Sequence, residues 1–232
     1  MHRQPVKRKG KGKMSVSYRN QTKPSASTIS YFSSSEISAI MSVFSQRENE
    51  VLDMMKRDLN GHGRYRPRLI MIKRQRLMFM MGLELGARVS EIVHLRWAIS
   101  SSFDWDRKIV TVYDQKKDVE RSCTMPDKLW EELRTFRNLV DLRKEAWVFG
   151  ISEKTANRWI KDWAKAAGIK RRVRWHMMRH THVVQSRRAG RDWDWISQQT
   201  GDSVATLIKW YSRLSLEDRH EIGNVTNLMD RV

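Results

Sequence analysis

Two short segments of this chain place arginines where they could act on an anionic ester. His176-Met177-Met178-Arg179-His180-Thr181 sets a histidine three residues before an arginine, so on a helix both side chains share one face. Gly86-Ala87-Arg88-Val89-Ser90-Glu91-Ile92 puts another arginine beside a helix start. A phosphodiester repels nucleophiles, and two guanidiniums can clamp its non-bridging oxygens through charged, directional hydrogen bonds. Charge grows on those oxygens as a fifth ligand arrives, so fixed donors favour the transition state over the ground state. His176 could hydrogen-bond the same phosphate or move a proton. A tyrosine hydroxyl is a suitable nucleophile, and chemistry alone admits Tyr18, Tyr31, Tyr65, Tyr113 or Tyr211. His176 and His180 also stand at metal-pair spacing, but no acidic partner follows them in the metalloprotease pattern. The chemistry needs no metal, and no cofactor is expected.

These residues must be carried by helices and one small sheet. Ser33-Ser34-Ser35-Glu36 offers caps before a helix in which Ile37, Ile40, Met41 and Phe44 share a face, running to about Leu59. Asn60-Gly61-His62-Gly63 breaks it, and a second helix is expected after Pro67, stopping at Gly86. A short helix should span Ser90 to Leu95, with Ser90 as its cap. Lys108-Ile109-Val110-Thr111-Val112-Tyr113 is the best strand. With short strands before it and around Arg121–Thr124, it makes a three-stranded antiparallel sheet. Helices follow from Pro126 to about Val140, from Thr155 to Ala167, and over 177–188, 192–199, 203–211 and within 216–230. The fold class is α+β, mostly helical with a small antiparallel sheet.

Charge limits the partners. The chain has 45 Lys and Arg against 26 Asp and Glu, a net +19, which attracts polyanions, nucleic acid first and an anionic membrane second. No apolar run reaches membrane-spanning length, and the basic N-terminus lacks a secretory apolar stretch. Cys123 is the single cysteine, so neither an internal disulfide nor a zinc cluster can be built on it, which suits a reducing cytoplasm. Residues 1–32 form a basic tail expected to be disordered, in which Lys7, Arg8 and Lys9 could hold DNA backbone. Lys73, Arg74 and Arg76 form a further basic cluster, as do Lys170, Arg171, Arg172 and Arg174. Both are expected to grip duplex phosphates. The ten tryptophans are read mainly as core.

Four segments in order resemble the tyrosine recombinases, or phage-type integrases. They are Gly86-Ala87-Arg88-Val89-Ser90-Glu91-Ile92; the turn Gln115-Lys116-Lys117 ahead of Glu120-Arg121; His176-x-x-Arg179; and Gly201-Asp202, with Tyr211 ten residues after the glycine. The resemblance covers residues 33–232, read as one catalytic domain, and the family's usual separate N-terminal DNA-binding domain is not expected. It implies that Tyr211 is the nucleophile, that Arg88 and Arg179 clamp the phosphate, and that His176 assists. It implies a hairpin lysine as acid for the departing oxygen, Lys116 by its distance from Glu120-Arg121 and Lys117 as the alternative. It implies a covalent 3′-phosphotyrosyl bond that stores the energy needed for rejoining, and a homo-tetramer on paired, specific duplex sites passing through a Holliday junction. A DNA-bending accessory protein is a further partner of that kind. The helix after Tyr211, with Ile222, Val225, Leu228 and Met229 on its apolar side, would dock on a neighbouring subunit.

One residue departs from the family pattern. A histidine or tryptophan that donates to the phosphate usually follows the glycine, and here Asp202 stands there. An ionised carboxylate cannot donate and repels phosphate. Asp202 is therefore expected to point away, with Lys209 or Trp210 filling the role, or else to weaken cleavage. The leading reading is a recombinase that integrates or excises a mobile element. The alternative is a catalytically weak regulatory or architectural DNA-binding protein of the same fold. A type IB topoisomerase or a nuclease is a further enzyme reading.

Overall fold

The computed structural model describes residues 29–58, 62–97, 102–142 and 146–211. Lys7, Arg8, Lys9 and the segment after Tyr211 lie outside these residues.

The elements run α1 (Ser34–Arg57), α2 (His62–Leu85), α3 (Val89–Val93), β1 (Phe103–Asp104), β2 (Ile109–Asp114), β3 (Val119–Thr124), α4 (Asp127–Leu139), α5 (Glu153–Ala166), α6 (His176–Arg188), α7 (Trp193–Thr200) and α8 (Val204–Tyr211). This is the mostly helical α+β arrangement expected, with a single antiparallel sheet in the order β1-β2-β3.

The N-terminus of α1 follows its local chemistry. Ser33 accepts from the Glu36 N–H, and Glu36 accepts from the Ser33 N–H, a reciprocal capping box. Order does not begin at Ser33, however. Phe32 is fully buried and its N–H donates to Thr181 Oγ1 at 2.9 Å, while Ile29 and Tyr31 pack against a cluster on α6, α7 and α8. Arg171 fixes this segment by donating to the Tyr31 carbonyl, Ser30 and both oxygens of Glu36.

Helix α2 starts before Pro67 rather than after it. Proline's φ suits a helix, and its missing N–H deprives only the carbonyl of Gly63, one turn earlier at an exposed end. Its apolar residues point in several directions because α2 meets α1, α3, α4 and α6. Phe32, Phe44, Phe79 and Trp163 interlock in edge-on and tilted pairs between α1, α2 and α5, with ring centroids 5.4–6.3 Å apart. Trp130, Trp159, Trp163 and Trp175 are all buried, as a structural role for the tryptophans requires.

Strand β2 explains how a charge reaches the interior. Its alternation sends Val110, Val112 and Asp114 to the buried face. The first two join the core, and the third brings a carboxylate to the site. Helix α3 starts one residue earlier than expected, with Arg88 rather than Ser90 at its N-cap.

Candidate active site

Three levels of the fold deliver the arginines and tyrosine to one place. Gly86 turns the chain out of α2 with φ +56°, and a Cβ there would lie 2.8 Å from the His182 ring. That turn leaves Arg88 at the start of α3. Its N–H donates to Glu91 Oε2 at 2.7 Å, and its guanidinium donates to Glu91 Oε1 at 3.0 Å and Asp114 Oδ2 at 2.5 Å. Burial pushes the Asp114 carboxyl up, but Arg88 and the N–H groups of Lys116 and Lys117 outweigh it and hold it below the usual value.

Behind Arg88, Glu91 is buried and receives a two-pronged contact from Arg121, at 2.7 and 2.6 Å. Arg121 Nε also donates to the Gln199 carbonyl, linking β3 to α7. Its guanidinium lies over Gly201, where a Cβ would sit 3.2 Å from the Arg121 side chain. Gly201 ends α7 in the left-handed conformation, φ +72°. Position 201 thus needs glycine for its dihedral and for its neighbour.

Arg179 occupies the buried face of α6 and is 1% exposed. Its Nη1 donates to the Gly86 carbonyl at 2.8 Å. The other side of its guanidinium meets Asp202, with Nε 3.1 Å and Nη2 2.5 Å from Oδ2. The second oxygen of the same carboxylate accepts from Arg88 Nη2 at 3.1 Å. Asp202 therefore does not point away. It lies between the two guanidiniums and takes a hydrogen bond from each. Lys209 and Trp210 do not fill that position: both are exposed, and the Lys209 ammonium lies 5.9 Å from the Trp210 ring centroid.

Tyr211 ends α8 and is buried. Its hydroxyl is 2.5 Å from His180 Nδ1, one turn along α6 from His176. Burial raises the Tyr211 pKa; Arg179 opposes this and Asp202 adds to it. His180 is held at about 4, first by burial and then by His176 and Arg179. Partial burial and Arg179 also lower His176, although its side chain reaches the surface. The His176 and His180 rings meet edge-on with centroids 4.4 Å apart. The contact with the tyrosine thus falls to His180. The signal for it in the sequence is the i,i+4 spacing of His176 and His180, which puts both on one helical face.

The hairpin turn brings its lysines to different places. Lys117 Nζ donates to the Gly201 carbonyl at 2.5 Å, beside Asp202. Lys116 is exposed, and its backbone N–H donates to Asp114. The basic clusters divide similarly. Lys73 and Arg76 pair with Glu48, and Arg76 also with Glu132, where α1, α2 and α4 pack. Arg74 lies over the Phe136 ring at 5.8 Å. Arg171 ties down residues 30–36, whereas Lys170, Arg172 and Arg174 are exposed beside α6.

Comparison with known proteins agrees with this architecture. The tyrosine recombinase XerA of Thermococcus onnurineus (strain NA1) is 28% identical over 166 residues, which is 68% of this chain and 57% of the relative. The chain thus spans little more than half the length of that protein. A crystal structure of XerA recombinase superposes with a TM-score of 0.60 at 23% identity, covering 84% of this chain and 62% of the other. XerH recombinase bound to a palindromic difH substrate, in a post-cleavage complex, superposes with a TM-score of 0.59 at 14% identity over 87% of this chain and 54% of XerH. The family model described as phage integrase matches residues 47–217, from the middle of α1 past the end of α8 and across every segment that builds the clamp. This chain belongs to the phage integrase family, the tyrosine recombinases.

Proposed function

We propose that this chain is a site-specific DNA recombinase that cuts and rejoins duplex DNA through a 3′-phosphotyrosyl bond at Tyr211. One observation carries the reading: Arg88 and Arg179 converge on the two oxygens of a single anion, and the Tyr211 hydroxyl, from α8, lies 2.5 Å from His180, the residue after Arg179 on α6. The Asp202 carboxylate stands in for two non-bridging phosphate oxygens. With a phosphodiester in its place, the guanidiniums would neutralise charge that grows during attack. Lys117 already lies beside Asp202 and is the better-placed donor for the departing 5′ oxygen, with Lys116 the alternative. His176, exposed at the start of α6, would reach the phosphate from the open side. Exposed Lys170, Arg172 and Arg174 would hold the flanking backbone. The expected assembly is a tetramer on paired sites, integrating or excising a mobile element.

The test is covalent capture. Nicked duplexes of random sequence are incubated with the chain, adducts are isolated under denaturing conditions, and the modified peptide is mapped. The reading expects one enriched sequence joined to the peptide that contains Tyr211. An adduct on another residue, or none, overturns it.

Asp202 gives substance to the second reading, a DNA-binding protein with weak chemistry, because the phosphate must displace it. Asp202→Asn, or Asp202→His, is expected to raise single-turnover cleavage about 10- to 100-fold, the equivalent of about 1.5–3 kcal/mol of charged hydrogen bonding made available to the substrate. The same change leaves Arg179 without its counter-charge. The variant should therefore melt lower in chloride buffer and recover in sulfate or phosphate. An unchanged rate together with no oxyanion stabilisation would show that Asp202 does not compete for the clamp.

A further inference from the structure

Within the recombinase reading just given, the attacking tyrosine must lose a proton, and no function considered so far supplies a base in contact with it. We propose that His180 is a catalytic residue that takes the Tyr211 proton during cleavage and returns it during rejoining.

The geometry supports this directly. His180 Nδ1 is 2.5 Å from the Tyr211 hydroxyl oxygen, while the rings lie 5.7 Å apart and tilted by 54°. The contact is an edge-on approach of hydroxyl to ring nitrogen, not a stacked packing contact. Helix α6 fixes the imidazole: Arg179, the preceding residue, is anchored to the Gly86 carbonyl, and Thr181, the next, receives the Phe32 N–H. Helix α8 fixes the phenol, with Leu207 buried one turn before it.

The charges facing His180 determine its resting state. From α6 these are His176 and Arg179, from the corner before α8 Asp202, and from α8 itself the phenol of Tyr211. Burial and the two α6 neighbours keep the imidazole neutral at pH 7, so Nδ1 can accept a hydrogen bond once the ring proton sits on Nε2. The phenol is held protonated by burial. In the free protein the proton therefore stays on oxygen, and Tyr211 is not a free phenolate.

Substrate changes that balance. As the Tyr211 oxygen forms its bond to phosphorus, its proton moves to His180 Nδ1 and the phosphorus–O5′ bond breaks with its electron pair. The leaving oxygen takes a separate proton, from the hairpin lysine in the reading above. Charge that would have rested on the phenolate passes to the phosphate oxygens between Arg88 and Arg179. The imidazolium left behind faces that phosphate. Rejoining reverses each transfer: the 5′ hydroxyl gives its proton back to the lysine, and His180 protonates the departing phenolate. No outside oxidant or cofactor enters.

The test uses the full chain and the nicked duplex sequence enriched by covalent capture. His180→Ala is expected to cleave about 100-fold or more slowly in single turnover, the usual range for a general base, while retaining noncovalent DNA binding. His180→Asn keeps an acceptor near Nδ1 but not a base, so it should be as slow as the alanine variant. A substrate with sulfur as the 5′ leaving atom needs no proton at that atom. It should restore a hairpin-lysine variant but leave His180→Ala slow. Nitrogen NMR of the wild-type imidazoles should show an unprotonated Nδ1 at His180 whose signal moves in Tyr211→Phe. Full activity in either His180 variant, rescue of His180→Ala by the sulfur substrate, or a protonated Nδ1 would each overturn the proposal. If the wild type forms no adduct at Tyr211, the parent reading falls and this inference with it. If the wild type forms the adduct and His180→Ala forms it equally fast, only the inference falls.

Discussion

Tyr211→Phe is expected to abolish covalent adduct formation while leaving DNA binding in place. Loss of the attacking atom in an enzyme that forms a covalent intermediate costs many orders of magnitude, so the residual rate should lie at least about 10⁴-fold below wild type. The fold should survive. Tyr211 keeps its ring among Val183, Val184, Ile196 and Leu207, and only the hydroxyl is removed. That removal leaves His180 Nδ1 without its partner, which costs about 1–2 kcal/mol. For a chain of this size the loss is about 2–8 °C in Tm. Three measurements check the expectation together: adduct by denaturing gel, binding by native gel shift, and thermal unfolding. A Tyr211→Phe protein that still forms adduct would move the nucleophile elsewhere, and one that fails to bind DNA would assign Tyr211 a structural role.

Arg121→Ala is expected to be the most damaging single change to stability near the site. Glu91 has a side chain with 0% exposure, and its two oxygens receive four donors, two from Arg121 and two from Arg88. Breaking a buried pair by deleting one member leaves an uncompensated charge and costs about 3–5 kcal/mol. The Gln199 carbonyl loses its Arg121 donor too, and the surface over Gly201 is uncovered. Arg121→Lys should recover only part of the loss, because one ammonium cannot match a planar fork. Arg121→Met with Glu91→Leu should be more stable than Arg121→Ala alone, since no charge is then stranded. Urea unfolding measures all three. A cost below about 1 kcal/mol for Arg121→Ala would show that the pair contributes little beyond a surface bridge. Cleavage should fall as well, because Glu91 orients Arg88.

Local signals carried much of this fold and some of the site. The capping box at Ser33, the alternation of β2 and the glycine that ends α7 are each written in a few adjacent residues, and each element lies where those residues require. Pro67 misleads because proline's penalty depends on how near the helix end it sits, which only the position of the first turn decides. Phe32 and Tyr31 read as tail because their partners, on α6 and α8, are about 150–180 positions away in the chain. The same limit governs the site. Arg88, Arg179 and Tyr211 can be found by their surrounding motifs. That Asp202 turns inward to both arginines depends on two guanidiniums approaching from separate helices. That Lys117 rather than Lys116 reaches Gly201 depends on the twist of a hairpin. The charges of Lys73, Arg76 and Arg171 are visible in the sequence, whereas their pairing with Glu48 and Glu36 in the folded chain is not.

The carboxylate seated between Arg88 and Arg179 has a consequence for how such a molecule searches. On the proposed function, a chain with net charge +19 would adhere to any duplex it meets and drift along it. Each passing phosphate would meet two cations already paired with Asp202. On the proposed function, adhesion and incision would be governed by separate charges: an abundant outer layer indifferent to sequence, and an inner pair that would yield only where a duplex is held firmly enough to evict its resident.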